Sequence, residues 1–350
     1  MTKRAALVTG ASGLVGGYLL KYLLDQGNWD IVAVSRRKPD IPGNYRHIAV
    51  DLLDPADCRT RLGSLSGISH IFFAAYLERS DSAEQVTANT GMLVNLVEVI
   101  EARSPALEHI HLTQGSKWYG SHLGPYKTPA KEDDPRHMPP NFYYDQQDFL
   151  ESRQKGKRWN WSAVRPHAVC GFSTGGPMNL MLAIAVYANI SKALGLPLSF
   201  PGKPGAYTVL YQATDAALLA KAMVWMATDP KCANQAFNIT NGDLIRWQHL
   251  WPKFADFFGM ELAPPRHISL VRTMADKGPV WDRIVADHRL KPHAYKDIVG
   301  WGYPENVFNS DYDIVSTTSK ARRFGFHDLV DTEEMFMRMF GEFRSNRIIP

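Results

Sequence analysis

A strand-length apolar run at residues 3–9 (KRAALVT) leads directly into Gly10-Ala-Ser-Gly13-Leu-Val-Gly16, and the helical-period run YLLKYLLDQG follows. Three glycines at this spacing carry meaning only between a strand and a helix, and the flanking runs supply that context. Gly10 lets the chain leave the strand in a tight turn. Gly13 lets the backbone approach a pyrophosphate at the helix N-terminus, and Gly16 lets the helix pack closely on the strand. Ser12, Leu14 and Val15 lie within the same turn and are read with it as dinucleotide-binding positions. An ordinary strand-to-helix turn can contain the same glycines, so the rest of the chain must decide.

The 350 residues suffice for one large domain, or for a main domain with a smaller lobe. With 45% hydrophobic and 21% charged residues, the composition is that of a folded enzyme rather than a disordered chain. A net charge of +4 is mild, and its basic residues are scattered apart from Arg36-Arg37-Lys38 and residues 155–158. No basic stripe suits a nucleic-acid backbone, so no nucleic-acid partner is expected. Cys58, Cys170 and Cys232 are odd in number and far apart, which implies no disulfide framework. Neither CxxC nor HExxH occurs, so no metal site is expected. The apolar stretch at residues 178–190 is interrupted by Asn179 and Asn189 and is too short to span a bilayer. With no signal-peptide pattern at the start, a cytoplasmic protein without membrane contact is expected.

Residues 30–35, 45–50, 70–75, 108–113, 161–165 and 234–240 read as further strands. Residues 55–62, 82–102, 145–154, 178–194, 214–227 and 246–258 read as helices. Alternation of this kind predicts an α/β fold, a Rossmann-type doubly wound parallel sheet with a smaller, mainly helical C-terminal substrate lobe. The expected division is a NADP(H)-binding core over 1–170, then a mixed region over 171–350 whose late elements return to that core. Asn89 is the one polar member of an otherwise apolar helix face, and is expected to hold a neighbouring loop. Residues 171–177 are expected to be a loop, and the nearly all-apolar helix after them to be buried or to wall an apolar pocket.

Ser35, Arg36 and Arg37 end the second strand, where an NAD site would often place Asp or Glu. Two guanidinium groups suit a 2′-phosphate, which predicts NADPH. Asp51-Leu52 after the third strand is expected beside the adenine, and the small Ala74-Ala75 pair lets the backbone pass close to the cofactor. Beyond the fifth strand, Lys117 stands among Gly115, Trp118 and Gly120 at the ligand-facing end of the sheet. A nicotinamide enzyme needs a hydrogen-bond donor near the atom that gains negative charge as hydride arrives, and a tyrosine beside an ammonium group serves. The YxxxK pair of many Rossmann reductases is missing, since Gln147 follows Tyr143 and Asp148 follows Tyr144 at that spacing. Lys117 and Tyr144 are therefore read as the catalytic pair, both also touching cofactor, with Tyr143 as the second candidate donor.

GSKWYGSHLGP at residues 115–125, NFYYDQQDF at 141–149, RPHAVCGFSTGGPMNLMLAIAVYA, GLPLSFPG and FNITNGDLIRWQHLW carry a more specific signal. In order, with SRR, they resemble the atypical extended short-chain reductases typified by progesterone 5β-reductase and iridoid synthase, over nearly the whole chain. That resemblance implies NADPH-dependent reduction of an activated C=C bond, with hydride added to the β-carbon of an enone or enal. It also implies that Tyr144 stabilises the enolate-like oxygen and that Lys117 orients cofactor and tyrosine. The implied substrate is a small apolar enone, enal or steroid-like molecule. An NADPH aldehyde or ketone reductase with the same site is the alternative. The chain departs from the family pattern at Gln147-Asp148, where Glu-Asp is usual, and at Trp118, where His is common. Exposed helices could pair in a homodimer, but no feature selects an interface.

Overall fold

The computed structural model describes residues 3–174, 176 and 178–350, so Gly175 and Pro177 of the expected 171–177 loop lie outside the described residues. The strands are β1 (Arg4–Thr9), β2 (Trp29–Val34), β3 (Arg46–Ile48), β4 (His70–Phe73), β5 (His109–Thr113), β6 (Asn160–Pro166), β7 (Ala168–Cys170), β8 (Leu198–Ser199), β9 (Ala213–Asp215), β10 (Gln235–Ile239) and β11 (Leu262–Ala263). The helices through residue 258 are α1 (Leu14–Gln26), α2 (Pro55–Leu62), α3 (Ser82–Arg103), α4 (Phe142–Gln154), α5 (Leu180–Ala193), α6 (Pro204–Thr208), α7 (Ala216–Thr228) and α8 (Trp247–Phe258). The chain forms two compact units. The first comprises Met1–His167, Ala216–Ile239 and Thr317–Asp328; the second comprises Ala168–Asp215, Thr240–Ser316 and Leu329–Pro350.

The first unit is built on a seven-stranded sheet of order β10-β6-β5-β4-β1-β2-β3, parallel throughout. After β1 the chain builds outward to β3, then returns to lay β4 on the other side of β1. The reversal between β1 and β4 opens a crevice beyond their C-terminal ends, the position where sheets of this kind take ligands. Strand alternation supplies two faces. Leu7, Ile71, Phe73, Ile110, Leu112, Trp161 and Ala163 join Cys58, Leu62, Leu93, Leu96 and Leu150 in one apolar core. The opposite side of β4, β5 and β6 presents a polar row, His70, His109, His111 and Ser162, all buried. The Ser162 hydroxyl lies 2.7 Å from His109 Nε2 and 2.8 Å from His111 Nδ1, and the His70 and His109 rings stack at 6.3 Å. Desolvation holds His70 down at about 4 and His111 at about 3, and it holds His109 well below the ordinary imidazole range.

Asn89 acts as its lone polar position predicts. It is fully buried, and its side chain accepts from Leu77 N at 2.9 Å and donates to Leu77 O at 2.8 Å, pinning the segment that leaves β4. Helix α4 begins three residues before the expected 145, because the Asn141 side chain caps it by accepting from Tyr143 N at 3.1 Å. Both candidate tyrosines therefore lie in its first turn, which runs Phe142-Tyr143-Tyr144.

In the second unit, α5 is buried from Leu180 to Ser191. It belongs to a core that includes Trp247, Trp251 and Phe254 of α8, Phe308, and Phe336 and Phe340 of the Thr332–Ser345 helix. The Trp251 and Phe308 rings meet edge-on at 5.6 Å, and Phe254 and Phe340 at 5.2 Å. Such T-shaped pairs add to the area burial of large rings. Among the described residues, no helix is long and apolar enough to cross a membrane.

Candidate active site

At the β1 end, Gly10 has φ +63°, the left-handed region that favours glycine. A Cβ built on Gly10 would lie 2.5 Å from Ala74 O and 3.0 Å from Ala75 N, so the turn after β1 and the segment after β4 pass in direct backbone contact. Thr9 Oγ1 ties them together, accepting from Ala74 N at 3.0 Å and Ala75 N at 3.1 Å. A Cβ on Gly16 would meet Gly10 O at 2.3 Å, so Gly16 admits the turn itself against the first coil of α1. Gly13 caps α1 without any side-chain acceptor. Ser12 and Gly13 are exposed, while Leu14 and Val15 are half-buried. The first N–H groups of α1 thus face an open glycine turn, a cradle that a dinucleotide pyrophosphate fits.

Beyond β2, Ser35 Oγ donates to Arg37 O at 2.7 Å and lies 3.3 Å from His47 Nε2, which fixes the loop that presents exposed Arg36 and Arg37. His47 lies within β3 and was not legible as a partner of this loop in the sequence. Asp51 is exposed and accepts from Leu53 N at 3.0 Å, with its own N–H bonded to Asp57 at 2.8 Å. The Leu52 side chain is buried in the core, and only its backbone edges the loop.

At the β5 end, Ser116–Tyr119 forms a single 3-10 turn carrying half-buried Lys117. Three hydrogen bonds join this stretch to the start of α4. Asn141 Nδ2 donates to Lys117 O at 2.8 Å, Tyr144 Oη donates to Trp118 O at 2.6 Å, and Gln114 Nε2 donates to Tyr143 O at 3.3 Å. The segments bearing Lys117 and the two tyrosines are therefore adjacent. Their hydroxyls differ. Tyr144 is buried, donates to Trp118 O and also accepts from His137 N at 2.9 Å, and its ring packs edge-on against Trp118 at 4.9 Å. Tyr143 is half-buried, and its hydroxyl lies over Gly115, 3.2 Å from where a Cβ there would stand. Burial first, then the charge of Glu78, raises the Tyr143 phenol above its ordinary range. Glu78 also accepts a hydrogen bond from Tyr76 Oη, and Tyr76 receives Gln85 Nε2 at 2.7 Å.

The side chain at the helical position where a YxxxK lysine would stand is Gln147. It accepts from Gln114 Nε2 at 3.1 Å and from Arg165 Nη2 at 3.3 Å. Arg165, at the end of β6, is only 2% exposed and was not singled out by the sequence.

A parallel sheet of this order with a glycine turn at its switch point defines the nucleotide-binding fold of the short-chain dehydrogenases and sugar-nucleotide epimerases. A UDP-glucose 4-epimerase of Thermus thermophilus in complex with NAD superposes with a TM-score of 0.67 over 97% of this chain and 99% of that one, at 16% identity. A UDP-N-acetylglucosamine 4-epimerase of Methanobrevibacter ruminantium superposes with a TM-score of 0.70 over 99% of both chains, also at 16% identity. These likenesses speak for the fold. Residues 49–350 match the PRISE-like Rossmann-fold domain, and the chain belongs to that family. It is 34% identical to an (S)-8-oxocitronellyl enol synthase of Nepeta racemosa, across 99% of this chain and 93% of that protein. It is 32% identical to the 3-oxo-Delta(4,5)-steroid 5-beta-reductase of Arabidopsis thaliana over the same shares.

Proposed function

We propose that the protein is an NADPH-dependent reductase of the activated C=C bond of an enone or enal. The observation that carries this reading is the Tyr143 hydroxyl, which has no hydrogen-bond partner among the described residues and lies at the ligand-facing end of β5, one bonded segment away from Lys117. The relatives named above are a steroid 5-beta-reductase and an oxocitronellyl enol synthase, and a small apolar enone, enal or steroid-like substrate is consistent with both. The Gly10–Gly16 turn and Thr9 suit the pyrophosphate. Arg36 and Arg37 suit a 2′-phosphate, the feature that favours NADPH over NADH.

When bound, the reduced nicotinamide supplies the hydride. The chain's own part is to hold the carbonyl so that charge arriving on its oxygen meets a fixed donor. We assign that donor to Tyr143 and give Tyr144 a bracing role, since the Tyr144 hydroxyl is engaged by Trp118 O and His137 N. A phenol held above its ordinary range is a weak acid at neutral pH but still a hydrogen-bond donor. That suits 1,4-addition, in which the enolate needs stabilisation first and can take its proton later from water. Full proton delivery, as an aldehyde or ketone reductase requires, would suit a lowered phenol. The Lys117 ammonium adds a positive field and a donor for the cofactor ribose.

The test is steady-state turnover of an enone and of its saturated ketone, with product identification. Saturated ketone formed from the enone, with negligible turnover of the ketone itself, is expected; allylic or saturated alcohol alone would refute the reading. Tyr143→Phe should lower kcat by about 100-fold with little change in NADPH affinity, the scale for loss of one oxyanion donor. Tyr144→Phe should act mainly through stability. The reverse ranking would return the donor role to Tyr144.

A further inference from the structure

Among the described residues, the buried guanidinium of Arg165 hydrogen-bonds only to neutral acceptors, with the Glu132 carboxylate near enough to favour its charge without accepting from it. Its Nε donates to Gln114 Oε1 at 2.9 Å, Nη1 to Glu132 O at 3.0 Å and to Tyr119 Oη at 3.3 Å, and Nη2 to Gln147 Oε1 at 3.3 Å. The guanidinium carbon stacks on the Trp118 ring 3.6 Å from its centroid. These partners come from four separate stretches: the end of β5, the 3-10 turn, the 121–140 loop and α4. Among the described residues, no carboxylate oxygen accepts from it. A buried charge of this kind is costly unless its donors are all satisfied, and removal of one acceptor leaves the ion partly unpaired.

We infer that Arg165 is a positioning residue that clamps the Lys117 turn to the first turn of α4, so that the ammonium and the Tyr143 phenol keep one relative geometry. The rigid planar fork suits this role. One guanidinium reaches the turn through Trp118 and Tyr119, and reaches α4 through Gln147, while Gln114 bridges from Arg165 to the Tyr143 carbonyl. Gln147 is the α4 anchor: its Oε1 takes both Arg165 and Gln114, and its Nε2 donates to Glu151 at 2.8 Å. In this chain the helical position of the missing YxxxK lysine is thus filled by an acceptor that ties α4 to a cation arriving from β6. The catalytic consequence rests on the reductase reading above; the clamp itself does not.

Hydrogen–deuterium exchange of the full-length protein, followed by mass spectrometry, tests it. In Arg165→Met, amides in residues 115–120 and 141–147 should exchange at least tenfold faster, while peptides covering β1 and α1 stay within twofold of wild type. The kcat for the enone should fall about 100-fold, with KM for both substrates within threefold. Gln147→Leu cuts the α4 anchor while keeping the cation, and should loosen residues 141–147 in the same way. Gln147→Glu keeps an acceptor for Arg165 while the exposed Glu151 is free to turn to solvent, and should hold wild-type exchange and kcat within threefold. Wild-type exchange of both segments in Arg165→Met overturns the inference, as does uniform loosening of the whole sheet. If Arg165→Met does not fold, the contrast between Gln147→Leu and Gln147→Glu decides, and equal behaviour of the two overturns it. If the wild-type protein reduces no enone, the function fails, while the exchange data still decide the clamp.

Discussion

Gly16 and Gly17 are neighbours in the first turn of α1, and the structure gives them opposite responses to the same substitution. Helix propensity alone favours alanine over glycine at both positions by about 1 kcal/mol. A Cβ at Gly17 meets only Ile41 Cδ1 at 3.5 Å and Ala11 O at 3.6 Å, which are ordinary contacts. Gly17→Ala should therefore stabilise the fold by about 0.5–1 kcal/mol. At Gly16 the added carbon would lie 2.3 Å from Gly10 O and 2.6 Å from Gly10 C, both rigid backbone. Relief to an ordinary 3.4 Å contact needs about 1.1 Å of movement between helix and turn (3.4 minus 2.3). Overpacking of this kind costs about 1–3 kcal/mol, which outweighs the propensity gain. The displaced atoms are those that would cradle the pyrophosphate, and a misplacement of about 1 Å costs on the order of 100-fold in function. Thermal unfolding with and without NADPH, together with NADPH fluorescence titration, reads both effects. The expected order of melting midpoint is Gly17→Ala, wild type, Gly16→Ala, with NADPH affinity lost only in the last. A Gly16→Ala protein that melts at or above wild type and binds NADPH normally would refute the steric argument.

The histidine row makes stability acid-sensitive. The folded-state values of His70, His109 and His111 lie below the unfolded value of about 6.5, so below that pH the unfolded chain takes up protons that the native one refuses. Stability is then fully present above about pH 6.5 and is lost as pH falls toward 4, by roughly 2 kcal/mol per histidine between pH 7 and 5. Urea unfolding at several pH values should show this slope, and a flat profile from pH 7 to 5 would contradict the buried neutral row. Replacing Arg36 and Arg37 together by Ser should weaken NADPH binding by about tenfold or more while leaving NADH within twofold, because charge-assisted phosphate bonds are each worth about 1.5–3 kcal/mol when formed. Unchanged cofactor preference in that double variant would move the 2′-phosphate site elsewhere.

Much of the first unit was legible in the chain. The strand–glycine–helix start, the positions of the later strands along the chain and the basic end of β2 are local patterns, set by backbone sterics and side-chain period. Asn89 stood out for the same reason, as a polar residue on an apolar face. The site half was less legible, because it depends on which neighbour takes each polar group. Sequence spacing put Tyr143 and Tyr144 side by side, and family resemblance pointed to Tyr144. Only the packed structure shows that the Tyr144 hydroxyl faces Trp118 O and His137 N while the Tyr143 hydroxyl lies over Gly115. Arg165 read as the last residue of an ordinary strand, and its partners at positions 114, 119, 132 and 147 are up to 51 residues away in the chain. The sequence by itself determined the α/β architecture and the glycine turn, since local conformational preference and periodicity suffice for both. The tertiary structure decided which phenol stays available and which buried cation joins the Lys117 turn to α4, because both depend on hydrogen bonds that exist only after distant strands are brought together.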